Sequence, residues 1–172
     1  EELLDKRVKK LVSDLEERDE RKVIGALKRI PHEGSPDVII PMLRLLAKSP
    51  SSEVQMLLQK TLFNLKDQAC SDKFIDALEM DELAPIRTEI LTCIWQSGLD
   101  VSESLDLLID ISIKDDYMVA VEVLTIIDNT EHFPEHLLSD SIHKLDKVLE
   151  VKSEKTGLYG NLRQVLLEKL LD

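Results

Sequence analysis

The sequence predicts an all-α chain built from short helix pairs, and three observations support this prediction. Apolar residues recur at helical spacing almost throughout the chain. Aromatic residues make up only 3% of the sequence, whereas β-sandwiches and barrels depend on aromatic and β-branched residues. Five glycines and six prolines provide few of the turns that an all-β chain of short strands would need.

Helix boundaries are predicted from the breaks between the apolar stripes. Ser35-Pro36 is typical of a helix start, with an N-cap serine and a proline in the first turn. Ser52 with Gln55 has the spacing of a capping box, and Asp100 with Glu103 repeats it. The connections are short, so helices adjacent in sequence should pack antiparallel. The predicted helices span residues 1–16, 19–30, 36–48, 52–66, 70–79, 84–97, 102–114, 116–128, 134–151 and 156–171.

The second helix of each pair carries one apolar pattern at a nearly constant interval. Its first buried position falls at residues 23, 54, 86 and 119, so the intervals are 31, 32 and 33 residues. Units of this kind stack to bury a continuous core. We therefore predict a right-handed α-α superhelix (a solenoid) of about five antiparallel helix pairs. The repeated positions are Val23, Leu27 and Ile30; Val54, Leu58 and Leu62; Ile86, Ile90 and Ile94; and Val119, Val123 and Ile127. They belong to one domain over residues 1–172, with units near 1–30, 36–66, 70–97, 101–129 and 134–171.

The segment from Val38 to Asp67 resembles a HEAT repeat. Its first helix contains an internal proline, Pro41, and its second helix opens on Val54 after a short polar turn. Ile86-Arg87 is similar to the Val-Arg opening of the second helix in that family. The period of about 32 residues is shorter than the roughly 40–47 of HEAT units, and is closer to compact bacterial HEAT-like repeats. The resemblance implies that the second helices line a concave surface.

Acidic residues dominate one part of the chain. The net charge is −12, and residues 98–140 contain one lysine against eleven acidic residues. This charge argues against nucleic acid as the partner, because phosphate binding depends on clustered lysine and arginine. Two interpretations stay open for the acidic segment: a solvated ridge that favours solubility, or a surface that attracts a basic protein. Its candidate binding residues are Asp106, Asp110, Asp115 and Asp116.

Phe63, Arg87 and Trp95 are the remaining candidate partner-binding residues. Phe63 and Trp95 occupy equivalent positions, 32 residues apart. They either anchor a partner in the groove, as tryptophan often does, or fill gaps between repeats. Arg87 either lies on the inner surface, as the resemblance implies, or pairs with a neighbouring carboxylate such as Asp81 or Glu82.

The sequence offers little that is typical of a catalytic or metal site. His136, Asp140 and His143 share one helical face and could coordinate zinc, but this is the polar face of their helix. Cys70 and Cys93 match no zinc motif and are predicted to be buried thiols. No P-loop, GxGxxG, GxSxG or HExxH motif occurs. We predict no catalytic residue, no cofactor and no metal.

These features favour a non-catalytic scaffold that binds a protein in its concave groove. A basic partner is expected if the acidic residues 98–140 form a recognition surface. One alternative is a helical-repeat enzyme similar to the bilin lyases. Another is a module that self-associates through its amphipathic first helix, which carries Leu3, Leu4, Val8, Leu11 and Leu15. No apolar stretch reaches the about 18 residues of a membrane span, and two cysteines without a disulfide pattern fit a reducing, cytoplasmic setting. The oligomeric state is left open.

Overall fold

A computed structural model describes the backbone of residues 2–172 and the side chains of residues 5–172. Leu3 and Leu4, which belong to the predicted stripe of the first helix, lie outside the described side chains. The described part of the chain is all-helical, with ten α-helices and no strand. The α-helices are α1 (Glu2–Leu15), α2 (Glu20–Glu33), α3 (Ile39–Ala47), α4 (Ser52–Phe63), α5 (Ser71–Leu78), α6 (Arg87–Gln96), α7 (Leu105–Lys114), α8 (Tyr117–Asp128), α9 (Glu135–Val148) and α10 (Thr156–Leu171).

The chain forms two compact units, Glu1–Leu99 and Asp100–Asp172. In the first unit, α3 packs beside both α1 and α5, and α4 packs beside both α2 and α6. The first and second helices of the pairs therefore form two separate layers. In the second unit, α7 packs on α8 and α9, and α10 packs on α8 and α9. Helices adjacent in sequence contact one another as pairs in both units.

The apolar pattern predicted for the second helices is confirmed by their burial. All twelve repeated positions, from Val23 to Ile127, are buried. In α10, Leu158 and Leu162 are buried, whereas Val165 and Leu170 are only partly covered. Burying one leucine or isoleucine side chain stabilises the fold by roughly 1.5–3 kcal/mol. The twelve repeated positions therefore contribute strongly to the stability of the core.

Several helix ends differ from the sequence prediction, and α2 and α4 show why. Helix α2 does not stop at Ile30 but continues through Pro31 to Glu33. Proline lacks one backbone donor, yet the Gly34 N–H donates to the Ile30 carbonyl at 2.8 Å and closes the last turn. The cap of α4 is Ser51, not Ser52, because the Ser51 Oγ accepts the Val54 N–H at 3.4 Å.

Several helices start with a 3₁₀ turn, which a capping-box pattern does not predict. These turns span Pro36–Val38, Gln68–Cys70, Asp81–Ile86 and Ser102–Ser104. Ser35 caps the first of them, as predicted, by accepting the Asp37 N–H. Asp100 accepts the Ser102 N–H at 2.9 Å and so stabilises the turn that starts at Ser102.

Gly98 lies in a Schellman motif at the end of α6. Gly98 has φ of +68°, which glycine adopts without the steric cost of a side chain. The Gly98 N–H donates to the Trp95 carbonyl and the Leu99 N–H donates to the Ile94 carbonyl, each at 3.2 Å. These bonds satisfy carbonyls that would otherwise lack a partner at the helix end.

One buried carboxylate joins the first two helices. Asp14 of α1 accepts from Lys10 at 2.9 Å and from Arg29 of α2 at 2.6 Å. The hydrogen bond from Lys10, with help from Arg29, outweighs the effect of burial and holds the pKa of Asp14 below its ordinary value. The pair between Asp14 and Arg29 therefore stabilises the contact of α1 with α2.

Candidate functional site

Two of the four candidate acidic residues bind a lysine of their own unit. Asp106 and Asp110 lie one turn apart on α7, and both contact the Lys144 ammonium of α9, Asp110 at 2.8 Å. Partial burial works against the charged form of Lys144, but its hydrogen bonds to Asp106 and Asp110 prevail and raise its pKa. The two carboxylates are thus partly neutralised by the packing of α7 on α9.

The other two candidate acids stabilise the connection between α7 and α8. Asp116 is the N-cap of α8 and accepts the Val119 N–H at 3.0 Å. The Asp115 carboxylate accepts the Asp116 N–H at 2.7 Å. A side chain committed to a helix cap has less freedom to turn toward a partner. Both residues have a structural role whether or not they also contact another protein.

Lys155 binds backbone carbonyls at the C-terminal end of α7 and in its connection to α8. Its ammonium donates to the carbonyls of Ser112, Ile113 and Asp115 at 3.0, 2.9 and 2.6 Å. The ammonium also lies 5.2 Å from the centre of the Tyr159 ring, within the range of a cation–π interaction. A cation at a helix C-terminus offsets the partial negative charge of its unpaired carbonyls.

Arg87, Phe63 and Trp95 lie in the first unit, where each is partly buried. Arg87 donates from Nε to the carbonyl of Leu78 at 3.1 Å, at the last residue of α5. The predicted carboxylate neighbour Glu82 instead binds Arg44, at 3.0 Å from Nη2. Phe63 ends α4 and Trp95 lies in the last turn of α6. Arg87 is the first residue of α6, so it lies at the opposite end of that helix from Trp95.

The residues with metal-like or nucleophilic chemistry are separated or buried. His136, Asp140 and His143 are exposed on α9, as their polar face predicted. Within the described residues, no group of three histidine, cysteine or acidic side chains could hold a metal ion. Cys70 and Cys93 are buried free thiols, as predicted. Burial raises the pKa of Cys93 to about 12 and raises that of Cys70 as well.

Two adjoining open hollows lie between α2 and α4, on the layer of second helices. One has a volume of about 410 Å³ and lies where the two helices end. The other, of about 440 Å³, lies along their last turns. Pro31, Thr61 and Asn64 line both. We call this continuous depression the α2–α4 trough.

Cationic and polar side chains surround the trough above an apolar floor. Lys28, Lys60 and Lys66 line it and are exposed, and no described side chain pairs with their ammonium groups. Thr61 is only 8% exposed, yet its hydroxyl makes no hydrogen bond within the described part of the chain. Among the described residues, the buried side-chain oxygen without a partner is Ser141 Oγ. The unpaired Thr61 hydroxyl is therefore accessible to solvent, and it can bond to a ligand in the trough.

The sequence prediction did not identify these trough residues. It placed a groove on the second helices, which is where the trough lies, but from those helices it chose Phe63, Arg87 and Trp95, and it added four residues of the acidic segment. The repeat pattern could have pointed to these lysines. Lys28 directly follows the buried position Leu27, and Lys60 lies two residues after the buried position Leu58. Whether a lysine pairs with a carboxylate cannot be read from spacing alone, since the partner comes from another helix.

Comparison of the chain with protein-family models, with curated proteins and with solved structures finds no match. The structure adds one finding on membranes: no helix in the described part of the chain is both long enough and apolar enough to cross a bilayer.

Proposed function

We propose that this chain is a non-catalytic scaffold that binds a partner protein, and that the α2–α4 trough is its main binding surface. The observation that carries this proposal is the pair of adjoining hollows on the layer of second helices, with free ammonium groups and an unpaired hydroxyl around them. Binding sites are typically concave and largely apolar, with a few well-placed polar groups.

The proposed architecture behind this surface is a right-handed HEAT-like solenoid. Its support is the interval of 31–33 residues between second helices, together with the separate layers of first and second helices in the unit Glu1–Leu99. In a stack of repeated helix pairs, each new pair extends the same surface. A trough between α2 and α4 would then be one segment of a longer binding face.

The chemistry of the trough favours binding over catalysis. Apart from the three lysines, the titratable side chains that line it are Asp67 and Cys70. The Asp67 carboxylate accepts the Ala69 N–H at 3.0 Å and caps a turn. Burial raises the pKa of the Cys70 thiol, and a protonated thiol is a poor nucleophile. Neither group is prepared for acid–base or covalent chemistry.

A surface for a basic partner, the other interpretation of the acidic segment, receives less support. Asp106 and Asp110 already bind Lys144, and Asp116 caps α8. The exposed acids outside this group, such as Glu131 and Glu135, fit a solvated ridge. We therefore place the principal partner at the trough.

Site-specific photocrosslinking in the native host tests the proposal. The photoreactive residue p-benzoylphenylalanine would replace Lys60 or Asn64 in the trough, and Glu79, exposed at the end of α5, in the matched control. We expect one discrete crosslinked protein from both trough positions and none from the control. Equal crosslinking from Glu79, or a product with the mass of two copies of this chain, would contradict the proposal.

A further inference from the structure

Three unpaired lysines line the trough. Other exposed lysines, such as Lys114 and Lys152, are also unpaired in the described structure, but Lys28, Lys60 and Lys66 line one depression. Lys9, Lys22 and Lys73 each lie within 3.1–3.7 Å of a carboxylate. In contrast, the ammonium groups of Lys28, Lys60 and Lys66 contact no carboxylate of the described residues, although the chain has 34 acidic residues. A concave site with unpaired charges of one sign attracts a ligand of the opposite sign.

Among the residues that the structure describes, one acidic side chain lines the trough. Asp67 is exposed beside Lys66, and its carboxylate oxygen already accepts the Ala69 N–H. The local charge is therefore positive, in a protein whose net charge is −12. Residues 98–140, with eleven acidic residues against one lysine, would repel a negative ligand, so the trough would also be selective.

The floor of the trough is apolar and its centre holds a hydrogen-bonding group. Leu27 and Leu57 line one hollow, Ile30 and Leu65 line the other, and Pro31 lines both. The Thr61 hydroxyl, in a side chain with 8% exposure, has no partner in the described structure. Apolar side chains of a ligand can cover the floor while its backbone or carboxylates meet the hydroxyl and the lysines.

We propose that the α2–α4 trough binds an extended acidic segment of a partner protein, with aliphatic side chains against the floor and carboxylates on Lys28, Lys60 and Lys66. This inference rests on the proposed function and specifies the chemistry of the partner. An extended segment fits because the two hollows adjoin in a line that follows the last turns of α2 and α4. Alternate side chains of such a segment point to opposite sides, so aliphatic and acidic residues would alternate.

Fluorescence anisotropy with two labelled model peptides tests the acidic chemistry directly. One peptide alternates glutamate and leucine, and the other replaces every glutamate by glutamine. We expect the full chain to bind the glutamate peptide at micromolar to millimolar concentration, and the glutamine peptide at least about tenfold more weakly. Binding of the glutamate peptide should weaken as NaCl increases from about 0.05 M to about 0.5 M, because salt screens exposed charges.

Lysine variants separate a local effect from a change in overall charge. The test variant combines K28Q, K60Q and K66Q, and the control combines K114Q, K147Q and K152Q, which are exposed lysines of the other unit. Both variants lower the net charge by the same amount. We expect the test variant to weaken binding of the glutamate peptide about tenfold and the control to leave it unchanged. T61V, which keeps the shape and removes the hydroxyl, should weaken binding about two- to tenfold.

Three outcomes would overturn the inference. They are equal affinity for both peptides, equal loss in both lysine variants, and absence of binding by the glutamate peptide at millimolar concentration. Preference for a labelled single-stranded oligonucleotide over the glutamate peptide would also overturn it. If photocrosslinking from Lys60 succeeds while the glutamate peptide fails, the scaffold proposal stands and only the acidic chemistry is wrong.

Discussion

The cap that Lys155 provides for α7 makes a sharp prediction about stability. The substitution Lys155→Met keeps the length of the side chain and removes the ammonium. It leaves the carbonyls of Ser112, Ile113 and Asp115 without the donor that now lies at 3.0, 2.9 and 2.6 Å. Ser112 is fully buried, so water cannot easily replace the donor there. The substitution should therefore destabilise the fold.

The size of this effect follows from two contributions. Hydrogen bonds to a charged group contribute about 1.5–3 kcal/mol each, but one partly exposed ammonium shares three acceptors. A cation at a helix C-terminus contributes about 0.3–2 kcal/mol. We expect a loss of about 2 kcal/mol in the free energy of unfolding, which corresponds to a Tm about 4–8 °C lower in a chain of this size.

Thermal and urea denaturation, followed by circular dichroism, would measure the change. Lys152→Met is the matched control. Lys152 lies with Lys155 between α9 and α10, is exposed, and has no partner in the described structure. It should change the Tm by less than about 1 °C, since surface substitutions rarely exceed ±0.5 kcal/mol. Equal destabilisation by the two substitutions would show that the three carbonyl contacts do not stabilise α7.

Three further predictions concern single side chains. Asp14→Asn should lower the free energy of unfolding by about 1 kcal/mol at neutral pH. Because the hydrogen bond from Lys10 lowers the pKa of Asp14, the wild-type protein keeps this advantage above the ordinary value of 3.8 and loses it as the pH falls through the lowered pKa. Urea titrations at several pH values would show this. Gly98→Ala should destabilise by about 1 kcal/mol because of its φ of +68°, whereas Gly25→Ala inside α2 should stabilise by about 0.5–1 kcal/mol, both measured as Tm. Ser141→Ala should stabilise by about 1 kcal/mol in urea denaturation, because the buried Ser141 Oγ has no partner among the described residues.

Each of these predictions has an outcome that contradicts it. An Asp14→Asn penalty that persists undiminished in acid would mean that the carboxylate is not the source of the stability. A Cβ at either glycine meets no atom within 4 Å, so steric contact does not distinguish the two positions. If both substitutions changed Tm in the same direction, backbone conformation would be excluded as the cause. Ser112 is the control for Ser141: its Oγ donates to the Ile109 carbonyl at 2.6 Å, so Ser112→Ala should destabilise where Ser141→Ala stabilises.

Much of the helical structure could be predicted from local sequence. Each predicted helix has a counterpart in the described structure, and all repeated positions from Val23 to Ile127 are buried. Periodicity predicts this well because a helix buries one face, whatever that face packs against. Boundaries were less accurate. Helix α2 continues past Pro31, and the Gly34 N–H donates to the Ile30 carbonyl at its end. Helix propensity predicts a stop at proline and does not include this bond.

The candidate site was predicted less well, for a physical reason. Asp106 and Asp110 looked available in the sequence, but Lys144 reaches them from a helix more than thirty residues away. Lys28 and Lys60 looked unremarkable, yet the packing of α2 on α4 leaves their ammonium groups without a carboxylate. Charge in a sequence is a property of residues, whereas charge available to a partner depends on which pairs the fold has already formed.

Helix class, the 31–33-residue interval and the buried stripe follow from the order of residues along the chain, because they depend on contacts within a turn or between adjacent helices. Local sequence does not determine three other features: the hollows between α2 and α4, the unpaired Thr61 hydroxyl, and the partly neutralised acids of α7. They arise where helices distant in sequence meet, and the distances between their side chains are set by packing across layers, which local periodicity does not encode.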